Sequence, residues 1–320
     1  AKVALGTTTF KTSMTSLIVL MLDRVERVVR NLSHWTVVSA SDMEVLTVVC
    51  SLVTQLAKDK PTAKVLARMP LIHNVIVLLH RLSSVASLSK PLRRSSSPLS
   101  SKGKKSNRAG VRKHSCVVRQ SLLHVMLSMS FHTEEHGCFH SHGRRSSRKG
   151  DVDVYSMLLQ LWRQCSGAVV LSGSSSASTS TSASTSKTSS SSLLRRRETG
   201  LVGHLLRNLS LTNKSKFIAQ PTLLEEMLES VLAEKQPIAV ACAASVLWSI
   251  SFNCKKIIPR MKKCNAELVC QRGLEILQLE MLQGDGDQYI TNIMLHGVQG
   301  LTRLLDWCKT NGAEGFKSSP

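Results

Sequence analysis

Aromatic residues make up only 4% of this 320-residue sequence, beside an apolar fraction of 42%. Because β-sandwiches and barrels draw heavily on Tyr, Phe and Trp, this composition favours helices built from Leu, Val and Ala. The signature of a strand, a strict alternation of apolar and polar residues over roughly four to eight positions, is also missing. Both absences predict an all-α fold.

Long apolar runs are missing too. The apolar run at residues 14–22 is ended by Asp23 and Arg24, and no small-residue cleavage site follows it. Because a transmembrane helix needs about 18 or more apolar residues, we expect no membrane insertion, and the run does not fit a secretory signal. The first residue is alanine and not methionine, which we interpret as the start of a fragment.

Catalytic signatures are absent from the sequence. The nucleotide-binding, zinc-protease and hydrolase motifs GxGxxG, GxxxxGK[ST], HExxH and GxSxG do not occur. Residues 284–287 resemble half of a calcium loop but lack the later acidic ligand, and they predict a turn. The nine cysteines form no CxxC pair, which predicts buried thiols. We therefore expect no enzymatic activity, no cofactor and no small-molecule substrate.

One short stretch is rich in residues that bind zinc. Within residues 132–142 the side chains with nitrogen, oxygen or sulfur ligands are His132, Glu134, Glu135, His136, Cys138, His140 and His142. The pairs at 136/138 and 140/142 are closer than the spacing of structural zinc sites. Glycines and a run of arginines beside them favour a flexible loop, so we predict no metal site.

The positive charge is concentrated in a few stretches. The net charge is +21, and 16 of these excess charges lie in residues 90–113, 144–149 and 195–197, in or beside Ser-rich segments without an apolar pattern. Basic tracts of this kind are usually solvated and bind anions weakly. Specific nucleic-acid recognition by a folded groove is therefore disfavoured.

Three interruptions divide the helical pattern. Residues 89–113, 133–150 and 172–192 predict flexible loops, because they cannot bury enough apolar surface to offset the entropy of ordering. Apolar residues recur elsewhere with a period near 3.6. The predicted helices are 16–32, 42–57, 71–88, 111–131, 154–165, 201–209, 223–233, 238–252, 266–282 and 290–308.

The domain organisation follows from these interruptions. The expected regions are helical repeats in 1–88, a basic Ser-rich linker in 89–113, a helical repeat in 114–170 with a His- and Arg-rich insert at 133–150, a Ser/Thr-rich linker in 171–197, armadillo-like repeats in 198–310 and a tail in 311–320.

A recurring pattern links three of the predicted helices. Residues 50–56, 203–209 and 244–250 each combine a small residue, an adjacent apolar pair and a final apolar residue, and a basic–apolar pair follows each after a turn. The second and third copies are 41 residues apart. A period near 40 is typical of armadillo and HEAT repeats, which bury their apolar faces by stacking on neighbours. The sequence therefore predicts an armadillo/HEAT-like helical solenoid, with an irregular bundle as the alternative.

Two blocks of this repeat resemble the C-terminal armadillo-like region of the rotatin family. The Leu-Leu-Arg-Asn-Leu helix at residues 205–209 is followed by Asn213-Lys214, and the Ala-rich helix at 243–250 contains Trp248 and is followed by Asn253. Residues 295–305 are similar to the last helix of that family. The resemblance covers roughly residues 200–308, whereas the Ser-rich insert and the extension after Asp306 depart from the family pattern.

The resemblance implies a non-enzymatic scaffold of centrioles and ciliary basal bodies, within the cytoplasm and cytoskeleton. Such a protein acts in centriole assembly and elongation, and its partners are centriolar or ciliary proteins. The alternative is a generic armadillo-repeat adaptor that binds an acidic or helical protein partner.

The innermost helices of a solenoid form a long concave surface, and surfaces of this shape bind proteins. The candidate protein-binding residues on these helices are Gln55, Arg207, Asn208, Trp248 and Ser249. An importin-like peptide ladder would need an asparagine at each equivalent position, and only Asn208 provides one. Arg207 and Asn208 fit equally well as residues that cap or bridge neighbouring repeats.

Overall fold

The computed structural model describes residues 16, 17, 20, 40–68, 71–88, 105–139, 153–166, 190–220, 222–233, 236–283 and 287–314, with only the backbone of 40–42, 84–88, 105–115, 190–192 and 311–314. About 91% of this described part is helical and it contains no strand, which confirms the all-α prediction. Most of the helix predicted at 16–32 lies outside the described residues, as do 89–104, 140–152, 167–189 and 315–320.

The chain divides into two compact units, residues 1–152 and residues 153–320. The described helices of the first unit are α1 (Ala40–Leu56), α2 (Lys60–Arg68), α3 (Leu71–Leu88), α4 (Lys105–Ser130) and a 3-10 helix (Thr133–Phe139). Asp59 begins α2, because its carboxylate accepts hydrogen bonds from the backbone N–H and the hydroxyl of Thr62 at 3.0 and 2.6 Å. Leu46, Leu79 and Leu122 lie in the core that α1, α3 and α4 enclose.

The second unit contains eight described α-helices and one 3-10 turn. They are α5 (Val154–Ser166), α6 (Ser190–Thr212), α7 (Lys214–Ala219), α8 (Leu223–Val231), α9 (Pro237–Ser251), the 3-10 turn Lys255–Ile257, α10 (Ile258–Lys263), α11 (Ala266–Gln283) and α12 (Gln288–Glu314). Pro237 occupies the first turn of α9, where its missing N–H costs no hydrogen bond. Asn253 and Asn265 adopt positive φ angles of 54° and 50° in the turns that end α9 and α10, a conformation that asparagine tolerates well.

Three times along the chain, a long helix, a short helix and a second longer helix follow one another. We call these groups triplet A (α1–α3), triplet B (α6–α8) and triplet C (α9–α11). The three copies of the sequence repeat fall on the first helix of each triplet. The basic–apolar pairs fall on the short helical segments, where Phe217 and Ile257 are buried but Val65 is exposed.

Helix α9 is the centre of the second unit. Every residue from Pro237 to Ser251 is buried except Trp248, because α6, α8, α11 and α12 all pack against this helix. A helix that is apolar on all sides needs neighbours on all sides. The stability of this unit therefore depends on how closely those neighbours can approach α9.

Small residues bring the neighbouring helices into contact with α9. A Cβ atom added at Gly203 of α6 would lie 2.6 Å from the sulfur of Cys242, and one added at Gly297 of α12 would lie 2.5 Å from the Cβ of Ala241. Gly300, one turn after Gly297, lies beside Ala244, one turn after Ala241. Because the contacts advance in the same direction along both helices, α9 and α12 run parallel.

Burial also keeps thiol groups of this chain protonated. Five of the nine cysteines are buried as predicted, namely Cys50, Cys138, Cys165, Cys242 and Cys270, whereas Cys116, Cys254, Cys264 and Cys308 are only partly buried. Desolvation raises the pKa of the Cys50 thiol to about 12 and that of Cys270 to about 12, so both stay protonated at neutral pH.

The prediction of a flexible linker is wrong for residues 105–113 and 190–197, which are helical parts of α4 and α6. The guanidinium of Arg195 donates to the backbone carbonyl of Cys165 at 3.0 Å. Arg196 pairs with Glu280 at 3.0 Å, and Arg197 pairs with Asp287 at 3.3 Å. These arginines are ordered by partners distant in sequence, which local composition could not reveal.

The flexible insert predicted at 133–150 is also wrong where the structure describes it. Residues 133–139 form a 3-10 helix in which His136, Cys138 and Phe139 are buried. The rings of His136 and Phe139 meet edge to face with centroids 6.1 Å apart, and the Nε2 atom of His136 lies 2.7 Å from the carbonyl oxygen of Ser130. Three buried side chains are enough to order this short segment against α2, α3 and α4.

We predict that Gly297→Ala destabilises the chain, whereas Gly300→Ala does not. A Cβ at position 297 meets the Cβ of Ala241 at 2.5 Å, but one at position 300 meets nothing closer than 3.4 Å. Overpacking at 297 should cost about 1–3 kcal/mol, and the higher helix propensity of alanine should make Gly300→Ala neutral or stabilising. Urea unfolding followed by circular dichroism measures both variants, and equal unfolding midpoints would contradict the close contact.

Candidate functional site

A groove opens between α6 and α12 above α9. At its closed end, Gly200 of α6 lies against Ile293 and Tyr289 of α12, so that a Cβ at Gly200 would be 2.7 Å from the Ile293 side chain. Further along both helices the surface opens into a pocket between Arg207 of α6 and Arg303 of α12. At the closed end of the groove, Gly200 allows α6 and α12 to approach closely. At the open end, longer side chains line the space between the two helices.

The pocket has a volume of about 60 Å³. Its lining residues come from three helices: Arg207 from α6, Ser245 and Trp248 from α9, and His296, Gln299, Gly300 and Arg303 from α12. Because one water needs on the order of 15 Å³, the pocket has room for a few waters or one small polar head group. Sites for small molecules are usually several times larger, about 300–1,000 Å³.

Trp248 forms the floor of the pocket and continues into an apolar ledge. Its ring lies 5.5 Å from the ring of Phe252, which is 47% exposed. The ammonium group of Lys214 lies 5.3 Å above the Phe252 ring and donates a hydrogen bond to the carbonyl oxygen of Phe252. The pocket therefore combines a wall rich in positive charge with an exposed aromatic surface, which we call the aromatic ledge (Trp248 and Phe252).

No acidic side chain lines the pocket, and its two arginines differ from the other arginines of the second unit. The remaining six have partners: Arg163 with Glu226, Arg195 with backbone carbonyls, Arg196 with Glu280, Arg197 with Asp287, Arg260 with Glu225 and Arg272 with Glu275. Within the described part of this unit, the guanidinium groups of Arg207 and Arg303 have neither an ion pair nor a hydrogen bond. An anion entering the pocket would therefore meet two charges that no carboxylate neutralises.

Behind the pocket lies a neutral histidine. His204, one turn before Arg207, packs its ring edge to face against Tyr289, with centroids 6.4 Å apart. Desolvation, together with the charges of Arg207 and His296, lowers the pKa of His204 to about 4. The positive charge of the site at neutral pH therefore does not include His204.

The structure brings together only two of the residues predicted to bind partners. Arg207 and Trp248 line the same pocket. Asn208 and Ser249 are 7% and 2% exposed, because one step along a helix turns the side chain by about 100° towards the core. Gln55 is exposed on α1, in the first unit. We therefore keep Arg207 and Trp248 in the candidate site, while Asn208 and Ser249 serve the core.

Sequence reasoning missed the α12 wall of the pocket. His296, Gln299 and Arg303 belong to the last long helix, whose apolar residues at 301, 304 and 305 are spaced differently from those of the pattern at 203–209. Arg303 is three residues after Gly300, whereas Arg207 is four residues after Gly203, so the repeat pattern does not identify Arg303.

The residues considered as zinc ligands have other partners in the described segment. His132 contacts the carbonyl oxygen of Ala57 through Nε2 at 2.6 Å, and Glu134 pairs with Lys60 at 2.9 Å. Among the described residues, no three His, Cys, Asp or Glu side chains converge on one point. His140 and His142 lie outside the described residues.

No protein-family model matches this sequence, and no curated protein matches it either. The resemblance to the rotatin family therefore stays a hypothesis that depends on residues 205–209, 243–250 and 295–305 alone. Among the helices that the structure describes, none alone has the length and apolar character to cross a bilayer.

We predict that His204 makes the stability of the chain fall as the solution becomes acidic. The unfolded chain binds a proton at the ordinary pKa of 6.5, whereas the folded chain does so only near 4. The unfolded state therefore takes up more protons between these values, and stability falls across that window by at most about 3 kcal/mol.

Replacing His204 with asparagine tests this pH dependence. Relative to the wild type, His204→Asn should gain stability as the pH falls from about 7 to about 5, measured by urea unfolding at each pH. His296→Asn is the matched control, because it removes an imidazole that is exposed to water on the same pocket. A stability difference between His204→Asn and the wild type that is the same at both pH values would refute the role of His204.

Proposed function

We propose that this chain is a non-enzymatic helical-repeat scaffold, with an armadillo-like solenoid architecture, that binds protein partners in the groove formed by α6, α9 and α12. The observation that carries the proposal is the partial exposure of Trp248. It is the one residue of α9 that is not buried, and it lies at the floor of the groove. Tryptophan and arginine are the residues most enriched at the energetic centres of protein interfaces.

The relation between triplets B and C supports the solenoid architecture. Their first helices, α6 and α9, are equivalent in the sequence repeat, and α12 follows as the first helix of the next position. Gly203 of α6 packs on Cys242 of α9 and Gly297 of α12 packs on Ala241, so both helices pack directly on α9, and they also touch each other around Gly200. Equivalent helices that stack side by side are what repeat units need in order to bury their apolar faces.

Contacts between the outer helices support the same order. Arg260 of α10 pairs with Glu225 of α8 at 2.8 Å and donates to the carbonyl oxygen of Ile218 in α7 at 3.2 Å. The short and second helices of neighbouring triplets are thus joined to one another, as the first helices are. In this architecture α6, α9 and α12 form the inner layer.

The size of the pocket supports a binding role without catalysis. About 60 Å³ accommodates a single side-chain head group rather than a metabolite. The aromatic ledge extends the surface beyond the pocket, as expected for contact with an extended peptide or a helix. A general armadillo adaptor for an acidic or helical partner is the second candidate, and the acid-free lining of the pocket favours it.

The rotatin resemblance extends the proposal to a place in the cell. It assigns the scaffold to centrioles and ciliary basal bodies, where it would act in centriole assembly with centriolar or ciliary proteins. Two residues that line the groove, Arg207 and Trp248, also belong to the two sequence blocks that resemble the rotatin family.

Fluorescent tagging of the full chain tests both parts of the proposal. The wild-type chain is expected to accumulate at centrioles, and Trp248→Ala is expected to reduce that accumulation strongly. Truncating a central interface tryptophan costs about 2 kcal/mol or more, roughly thirtyfold in affinity.

Leu268→Ala is the matched control for this experiment. Leu268 is an apolar residue of α11 that is 66% exposed and does not line the groove. A diffuse wild-type signal would contradict the centriolar assignment. Equal losses in Leu268→Ala and Trp248→Ala, at equal protein levels, would contradict the role of the groove.

A further inference from the structure

The two arginines of the pocket, which form no ion pair with any residue that the structure describes, can receive an anionic ligand. Arg207 is half-buried on α6, and Arg303 is exposed on α12, so the two charges approach the pocket from different helices. An anion that enters the pocket can accept charge-assisted hydrogen bonds from a guanidinium, which are stronger than hydrogen bonds between neutral groups. Every other arginine of this unit has received a partner from the chain itself.

The number and placement of the donors favour a phosphoryl group over a single carboxylate. One guanidinium can donate hydrogen bonds to both oxygens of a carboxylate, so a single carboxylate needs only one arginine. A phosphate monoester has about −1.5 to −2 charges and three terminal oxygens, so it can bridge two guanidinium groups. The side-chain amide of Gln299 and the imidazole of His296 add further hydrogen-bond donors along the α12 wall.

The pocket also fits the size of such a group. About 60 Å³ is enough for a phosphorus atom with three terminal oxygens, and not enough for a nucleotide. The aromatic ledge next to the pocket then contacts the residues on either side of the modified one. Because no nucleotide fits inside a pocket of this volume, we favour a peptide over stacked nucleotides.

We propose that the pocket between α6 and α12 binds a phosphorylated serine or threonine of a protein partner, with Arg207 and Arg303 as the two phosphate ligands and Trp248 as the adjoining apolar contact. This inference rests on the proposed function, because it names the chemistry of the partner that enters the groove. It makes partner binding dependent on phosphorylation of the partner.

Binding of degenerate peptides to the full chain tests the proposal. Three fluorescent libraries without other acidic residues carry phosphoserine, serine or glutamate at the central position, and anisotropy measures their affinity at about 0.15 M salt. We expect the phosphoserine library to bind about tenfold or more tightly than the serine library and several-fold more tightly than the glutamate library.

Variants of the two arginines complete the experiment. Arg207→Ala and Arg303→Ala should each weaken binding of the phosphoserine library about tenfold, and Arg207→Lys should recover only part of the loss because a lysine lacks the planar fork. Arg272→Ala is the matched control, since it removes an arginine of the same charge that pairs with Glu275 on α11 outside the groove. Circular dichroism confirms that each variant is folded.

Several results would overturn the phosphate site. These are equal affinity for the phosphoserine and serine libraries, equal affinity for the phosphoserine and glutamate libraries, or an equal loss in Arg272→Ala. Tighter binding of a single-stranded oligonucleotide that also depends on Arg207 would overturn it in favour of nucleic acid. If the libraries bind equally but Trp248→Ala weakens all of them, the proposed function stands and only the phosphate site fails.

Discussion

The close packing of small residues around α9 is the constraint on which the second unit depends. Its residues Ala241, Cys242 and Ala244 leave space for Gly203 of α6 and Gly297 of α12 to approach the helix backbone. Glycine lowers helix propensity by about 1 kcal/mol relative to alanine, so its presence inside two long helices has a cost. That cost is offset by the apolar surface that α9 buries on all sides, which no single neighbouring helix could cover.

The same packing creates the groove. Where the residues between helices are small, α6 and α12 touch each other around Gly200. Where α9 carries Trp248, the neighbouring helices cannot close above it, and an opening remains between Arg207 and Arg303. The change from small residues to a tryptophan along one helix thus determines both the contact between neighbours and the site between them. Structural and functional roles lie on the same helix, one turn apart.

Sequence reasoning reached the helical class and the pattern shared by the first helices of the three triplets because their signals are local. A small residue beside an apolar pair recurs at a helical spacing, and proline or asparagine marks the boundaries of the short helices. The boundaries of the loops were predicted less well because their order comes from distant partners. Arg196 and Arg197 look like part of a basic linker until Glu280 and Asp287 are placed beside them. Residues 133–139 have a mostly polar composition, which predicted a loop. Their 3-10 helix is held in place by the three side chains that are buried, His136, Cys138 and Phe139.

The candidate site was predictable only in part, for a related physical reason. The repeat pattern identified Arg207 and Trp248, but it could not separate them from Asn208 and Ser249, whose neighbouring positions turn into the core. Arg303 could not be distinguished from the other arginines in the sequence, since what sets it apart is that it forms no ion pair with any described residue. Charge content therefore says little about binding in this chain. What matters for binding is which arginines already have a counter-ion, because an arginine that is paired within the fold is less available to a ligand.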